Sequence, residues 1–182
     1  MVERFGFFAV VGRPNVGKSS LVNRLIGEKV SITSRRPQTT RNRVLGVRTQ
    51  GAAQIVFVDT PGMQAGTHGL DYLINETAKS SARSADIIGM MIDARGWHER
   101  DDQVLEYISY LQLPTYLLIN KTDLLHSAAL VLPVIASVSE KYSFTEILPV
   151  SVRRGHNLDR LLDLVGKAMP EGPFGFPVEQ VR

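Results

Sequence analysis

Residues 12–19 read GRPNVGKS, which fits the pattern G-x-x-x-x-G-K-[ST] at every position. In this pattern two glycines let the backbone curl until several N–H groups converge on phosphate oxygens. A lysine adds a mobile positive charge and a hydroxyl can ligate magnesium, and here these groups belong to Lys18 and Ser19. The stretch therefore predicts a phosphate-binding loop.

The residues on either side of this loop predict its place in the fold. Residues 5–11 read FGFFAVV, an apolar run typical of a strand that is buried on both faces of a parallel sheet. Residues 20–26 carry leucine and isoleucine at helical spacing. A helix that begins near Lys18 would direct its positive end at the loop. Strand, loop and helix in this order predict an α/β domain.

The composition indicates one globular domain. The chain has 182 residues, of which 43% are hydrophobic and 21% charged, a size and balance that suit a single α/β domain. No apolar run approaches the ~20 residues needed to span a bilayer, and the N-terminus lacks the design of a signal peptide. Without cysteine, the chain has neither disulfides nor thiolate metal sites. We expect a cytoplasmic monomer.

Positive charge is concentrated in one segment. No acidic residue lies between Glu28 and Asp59. The basic residues in this interval are Lys29, Arg35, Arg36, Arg41, Arg43 and Arg48. The segment is interpreted either as a solvated loop near bound phosphates or as an RNA-contacting patch, and the two interpretations are compatible.

A second motif follows a predicted hairpin. Residues 44–49 and 54–58 read as two strands with one antiparallel pairing, and the second strand runs into the sequence DTPG at residues 59–62. Asp59 would lie at the carboxyl end of a buried strand, where α/β sheets bind their ligands. An acidic group in this place can hold magnesium through water.

A third motif, NKTD at residues 120–123, follows a strand predicted at residues 115–119. A carboxylate can accept two hydrogen bonds from the ring N–H and the amino group of guanine, which adenine does not supply in that geometry. Asp123 is therefore predicted to select guanine. The stem of Lys121 can lie over the purine, and Asn120 can tie this loop to the phosphate loop.

The remaining periodicity completes the predicted fold. It indicates strands at 86–92 and 146–150 and helices at 70–82, 101–111, 127–142 and 157–169. Together these elements predict the P-loop NTPase fold, with a mostly parallel six-stranded sheet, one antiparallel strand and helices on both faces. Residues 171–182 contain prolines and glycines without periodicity, which is typical of a linker.

The order of the motifs resembles the translation-factor-like GTPases, and further details resemble the Era GTPases. These details are GRPN at residues 12–15, PQTTR at residues 37–41 and IVFVDTPG at residues 55–62. Residues 170–173 (PEGP), 176–177 (FP) and 180–181 (QV) are similar to the segment that joins an Era GTPase domain to its KH domain. The resemblance implies a GTPase domain over residues 1–170 and a linker over 171–182 toward an RNA-binding KH domain that this chain lacks.

The resemblance implies roles for individual residues by motif position. The backbone of residues 15–20 and the Lys18 side chain would hold the phosphates, through Asn15, Val16, Gly17, Lys18, Ser19 and Ser20. Ser19 and Thr40 would ligate Mg²⁺, which Asp59 would bind through water. The guanine-binding set would be Asn120, Lys121, Asp123, Ser151, Val152 and Arg153. The catalytic set would be Lys18, Thr40, Gly62, which senses the γ-phosphate, and Asn15, which in related GTPases helps to hold K⁺.

Three positions depart from common patterns of these GTPases. Val152 stands where the Era GTPases usually have alanine, and Asn42 stands where they often have histidine. Met63 occupies the place after DTPG where many GTPases carry a glutamine that orients the attacking water. This last departure predicts slow hydrolysis.

The resemblance implies a GTP-binding, slowly GTP-hydrolysing switch that uses Mg²⁺ and K⁺. It implies a role in small ribosomal subunit assembly and rRNA 3′-end maturation, with a peripheral membrane contact left open. The alternatives are a nucleotide-dependent scaffold that does not hydrolyse GTP, or a related GTPase that acts in tRNA modification or large-subunit assembly. A P-loop phosphotransferase acting on a metabolite is a further alternative, but it does not explain NKTD.

Overall fold

A computed structural model describes residues 1–27, 44–58 and 84–178, and all elements named here belong to these ranges. The strands are β1 (Arg4–Val11), β2 (Val44–Gln50), β3 (Ala53–Val58), β4 (Ile87–Asp93), β5 (Thr115–Asn120) and β6 (Glu146–Pro149). The helices are α1 (Lys18–Ile26), α2 (Glu99–Leu111), α3 (Val131–Ser139) and α4 (Leu158–Ala168). Short 3₁₀ turns cover Thr122–Leu124 and Ala128–Leu130.

These six strands form one sheet in the order β2-β3-β1-β4-β5-β6. The central strand β1 pairs in parallel with β3 and β4, so that Phe8 lies opposite Phe57 on one side and Ile87 on the other. Only β2 runs antiparallel, as the hairpin partner of β3. The predicted P-loop NTPase sheet is therefore confirmed. Because the parallel strands end at one edge, the loops after β1, β4, β5 and β6 emerge close together.

Helices cover both faces of the sheet, as predicted. On one face α1 and α4 bury leucines such as Leu21 and Leu161 against the Phe8 and Phe57 side of the sheet. On the other face α2 and α3 bury Ile108 and Val138. Strands β3, β4 and β5 are buried at every position, which explains why their sequences are mostly apolar rather than alternating. The hydrophobic core therefore lies on both faces of the sheet.

The helix predicted at residues 127–142 is shorter than expected. Ser127 instead accepts a hydrogen bond from the Ala129 N–H and caps a 3₁₀ turn, and α3 begins only at Val131. Pro133 then falls in the first turn of α3, where its missing N–H needs no partner. The helix predicted at residues 70–82 lies outside the described residues. Within the described ranges, no helix is long and apolar enough to cross a membrane.

Part of the predicted linker packs on the domain. The Gly172 N–H donates a hydrogen bond to the Glu3 carbonyl at 3.0 Å. Gln54, which is fully buried in β3, exchanges two hydrogen bonds of 2.9 Å with the backbone of Phe176. These contacts lie at the amino-terminal ends of β1 and β3, opposite the edge that carries the motifs. That residues 171–182 lead to a further domain stays a prediction.

Candidate functional site

The phosphate loop runs from the end of β1 into the first turn of α1. Asn15 and Gly17 have left-handed backbones, with φ of 66° and 106°. The Lys18 ammonium donates to the carbonyls of Gly12 and Arg13 at 2.6 and 2.8 Å. Burial lowers the pKa of Lys18, and the nearby charge of Arg13 lowers it further. Burial and the Arg13 charge thus disfavour the charged form of Lys18, and a bound anion would favour it.

Asn120 links this loop to the two base-binding segments predicted from the sequence. Its side chain is buried, and its Nδ2 donates to the Val16 carbonyl at 2.8 Å. Its Oδ1 accepts from the Val152 N–H at 3.1 Å. The approach is so close that a Cβ atom on Gly17 would lie 2.5 Å from Asn120 Nδ2. The tie predicted for Asn120 is therefore present, and it includes the loop after β6.

Lys121 makes a second link between NKTD and the phosphate loop. Its ammonium donates to the Asn15 carbonyl at 2.7 Å and lies 3.2 Å from Asp93 Oδ2. Asp93, the last residue of β4, also accepts two hydrogen bonds from the guanidinium of Arg95, at 2.9 and 2.7 Å. The hydrogen bonds from Arg95, and then that from Lys121, outweigh burial and hold the pKa of Asp93 far below its usual range. Asp93 stays ionised and fixes the direction of the Lys121 stem.

Asp123 is held as a charged acceptor at the outer end of the site. Its Oδ1 accepts from the Ser151 hydroxyl at 2.7 Å. This hydrogen bond, together with the charges of Arg153 and Arg154, lowers the pKa of Asp123. The carboxylate is therefore ionised at neutral pH, as a group that accepts two hydrogen bonds from a base must be.

One cavity joins these segments. Its volume is about 630 Å³, within the range of ligand sites. It is lined by Gly17, Ser20, Arg24, Asn120, Lys121, Asp123, Leu124, Val152 and Arg153. The end of the phosphate loop at Gly17 and Ser20, the NKTD segment and the loop after β6 therefore border one space, and Asp123 lies in its wall.

The magnesium set is described only in part. Ser19 is exposed in the first turn of α1, beside Lys18. Thr40, Asp59 and Gly62 lie outside the described residues. Within the residues that the structure does describe, no group of three or more His, Cys, Asp or Glu side chains could hold a metal ion. A serine hydroxyl next to an anion-binding loop still suits Mg²⁺, which takes oxygen ligands and shares them with phosphates.

Sequence reasoning missed three residues at this site. Asp93 carries the same signal as Asp59, an acidic residue at the end of a buried strand, and could have been found by it. Arg24 lines the cavity and donates to the Arg153 carbonyl at 3.2 Å, but an arginine on a helix gives no such signal. Leu124, which follows NKTD directly, is an exposed leucine at the cavity wall.

A phosphate loop after β1 and NKTD after β5, joined through Asn120 on this sheet, define a P-loop GTPase domain. The family model described as "50S ribosome-binding GTPase" matches residues 7–121, and the chain belongs to this GTPase family.

The relatives that this chain matches include Era GTPases. The chain is 43% identical to GTPase Era of Pseudomonas fluorescens over 179 residues, which cover 98% of this chain and 60% of that relative. A structure of Era in complex with MgGDPNP and nucleotides 1506–1542 of 16S ribosomal RNA has a TM-score of 0.79 and 43% identity, covering 97% of this chain and 61% of that one. A variant of Aquifex aeolicus Era bound to GDP and AlF₄⁻ has a TM-score of 0.77 and 44% identity over 96% and 60% of the two chains. The resemblance drawn from the motifs is confirmed, and the chain spans about 60% of the length of these Era proteins.

Proposed function

We propose that this chain binds GTP and GDP with Mg²⁺, hydrolyses GTP slowly and acts as a molecular switch. The observation that carries the proposal is the pair of Asn120 hydrogen bonds to Val16 and Val152. They bring the phosphate loop, NKTD and the loop after β6 around a single cavity. An Era relative in complex with MgGDPNP is 43% identical to this chain over the aligned part, which covers 61% of that relative, and this supports the same ligand here.

The chain's own groups divide the work of binding. Lys18, already aimed by two loop carbonyls, would neutralise the phosphate charge, together with the backbone of residues 15–20. Asp123 would accept from the guanine edge, while the backbone of residues 151–153 completes the base pocket. Mg²⁺, when bound, supplies positive charge to the phosphate oxygens. Ser19, Thr40 and Asp59 are the residues proposed to hold it, and Gly62 to sense the γ-phosphate.

Phosphate release tests this proposal against its alternatives. With Mg²⁺ and GTP, we expect the purified chain to release phosphate at about 10⁻² s⁻¹ or below, because Met63 replaces the water-orienting glutamine. Lys18→Ala should abolish release, and ATP should give none. GTP binding without phosphate release would favour a scaffold that does not hydrolyse, while equal release from ATP would favour a phosphotransferase.

We further propose that Asn15 helps to hold K⁺ against the phosphates. The exposed Asn15 side chain belongs to a residue whose carbonyl is already fixed by Lys121. Hydrolysis should then be about tenfold faster in potassium than in sodium, a smaller gain than the 10³–10⁵ of an arginine finger. Asn15→Gly keeps the left-handed backbone and removes the amide, so it should abolish the preference for potassium. Equal rates of the unchanged chain in the two salts at matched ionic strength would contradict this role.

For the ribosome, we propose a role of the whole protein in small-subunit assembly and rRNA 3′-end maturation, because the Era relative is bound to 16S rRNA. This chain alone should bind RNA weakly, since the arginines of the basic segment give salt-sensitive phosphate contacts without a base code. Titration with an rRNA 3′-end oligonucleotide and a scrambled one at physiological salt should give similar, weak affinities. Tight discrimination between the two would show that this domain itself reads sequence.

A cytoplasmic location and a monomeric state complete the proposal, and the peripheral membrane contact stays a prediction. Roles in tRNA modification or large-subunit assembly are the alternatives for the whole protein. They would be favoured if a chain extended beyond Arg182 gained no preference for the rRNA 3′ end.

A further inference from the structure

Arg13, the second residue of the phosphate loop, is paired with a buried carboxylate outside the cavity. Its Nε lies 3.2 Å from Oδ1 of Asp101, and the two side chains are 21% and 0% exposed. Asp101 belongs to the first turn of α2, which follows β4 in the sequence. A carboxylate without exposure is tolerated only when it is paired, because burial strips it of water. The pair therefore fastens the loop to α2.

Asp101 is itself held in place by the helix. Its second oxygen, Oδ2, accepts from the His98 N–H at 2.8 Å, and His98 Nδ1 accepts from the Arg100 N–H at 3.1 Å. These bonds form a capping box at the start of α2. Burial raises the pKa of Asp101, and the His98 hydrogen bond and the charge of Arg13 oppose that rise. One oxygen is thus committed to the cap, and the other is directed at Arg13.

The connection continues to the phosphate-binding lysine. The Arg13 carbonyl accepts a hydrogen bond of 2.8 Å from the Lys18 ammonium. We propose that Arg13 and Asp101 are positioning residues. Asp101 fixes Arg13, and thereby fixes the Arg13 carbonyl that aims Lys18 at the phosphates. The inference rests on the proposed binding of guanine nucleotides.

The structure provides an optical probe of this connection. Trp97, the one tryptophan of the sequence, lies just before α2. Its indole N–H donates to Asp102 Oδ1 at 2.8 Å, and the Lys141 ammonium lies 4.9 Å from its ring centre. A nucleotide that shifts Lys18 and Arg13 should move Asp101 and the first turn of α2, and so change the emission of Trp97.

Asp101→Asn tests the proposal, with Asp102→Asn as its control. Asparagine keeps the shape of Asp101 and an oxygen for the cap, but removes the charge that holds Arg13. Asp102→Asn removes a charge from the next residue, whose side chain is 58% exposed and pairs with Lys141 rather than with the loop. We expect Asp101→Asn to weaken GDP binding in Mg²⁺ about tenfold, as contacting residues commonly couple, and to abolish the Trp97 response to GDP. Asp102→Asn should bind GDP within about twofold of the unchanged chain.

A second pair of variants separates positioning from general stability. Arg13→Gln should weaken GDP binding as Asp101→Asn does, and Arg13→Lys should restore part of it. In the Arg13→Gln background, Asp101→Asn should have no further effect on GDP affinity. Unchanged GDP affinity of Asp101→Asn, or of Arg13→Gln if the first variant does not fold, would overturn the inference. Failure of the unchanged chain to bind GDP would overturn the proposed function and the inference with it.

Discussion

Asp123→Asn should change the preferred base from guanine to xanthine and weaken GTP binding by about 100-fold or more. An amide still accepts a hydrogen bond from the ring N–H, but its NH₂ group faces the amino group of guanine, where two donors meet. Xanthine has an oxygen in that place and accepts from the amide. The measurement is the affinity of the variant and of the unchanged chain for GTP and for xanthosine triphosphate, each in Mg²⁺.

Ser151→Ala is the matched control for this prediction. It removes the hydroxyl that donates to Asp123 Oδ1 and leaves the carboxylate in place. GDP binding should weaken without any shift toward xanthine. If Asp123→Asn keeps its GTP affinity within a few-fold of the unchanged chain, the assignment of Asp123 to the base is wrong.

Gly17→Ala should have the second large effect, a loss of GDP affinity of about 100-fold. The substitution would break a hydrogen bond by which Asn120 joins NKTD to the phosphate loop or to the loop after β6. Its Cβ would lie 2.5 Å from Asn120 Nδ2, so the Asn120 amide must leave Val16 or Val152. Its φ of 106° adds backbone strain of about 1–3 kcal/mol to any alanine there. GDP titration and urea unfolding of the variant measure the two effects.

Gly96→Ala is the control that separates the steric clash with Asn120 from the backbone strain of a positive φ. Gly96 has a comparable φ of 137°, but nothing lies within 4 Å of a Cβ built on it. This control should lose stability and keep its GDP affinity. Equal GDP affinities of the two variants would mean that the contact of Gly17 with Asn120 is unimportant for binding.

The sequence predicted the sheet and the motif residues because each depends on local pattern. Continuous apolar runs marked strands buried on both faces, and the motifs that follow β1 and β5 indicated which side chains meet. Asn120 is the clearest case, since the carboxyl ends of parallel strands share one edge, and this places its amide within reach of the phosphate loop.

The contacts that sequence reasoning missed join residues far apart in the chain. Arg13 occupies a variable position of its motif, and Asp101 looked like an ordinary acidic residue in a first helical turn. Only the packing of α2 beside the phosphate loop reveals that Asp101 is fully buried and paired. Likewise Gln54 lies in an apolar strand, and its partners are backbone groups of Phe176, which carry no sequence signal. Because such backbone contacts need no periodic side-chain pattern, the sequence of the tail predicts a linker although part of it packs on the domain.

The most direct test of the account is an equilibrium titration of the unchanged chain with GDP and with ADP in Mg²⁺. Lys18 and the phosphate loop would treat the two diphosphates alike, so any difference in affinity measures the base site around Asp123. The account predicts that GDP binds at least about 100-fold more tightly than ADP, as expected of a site built to hydrogen-bond the groups that the rejected base lacks. Comparable affinities for GDP and ADP would contradict it.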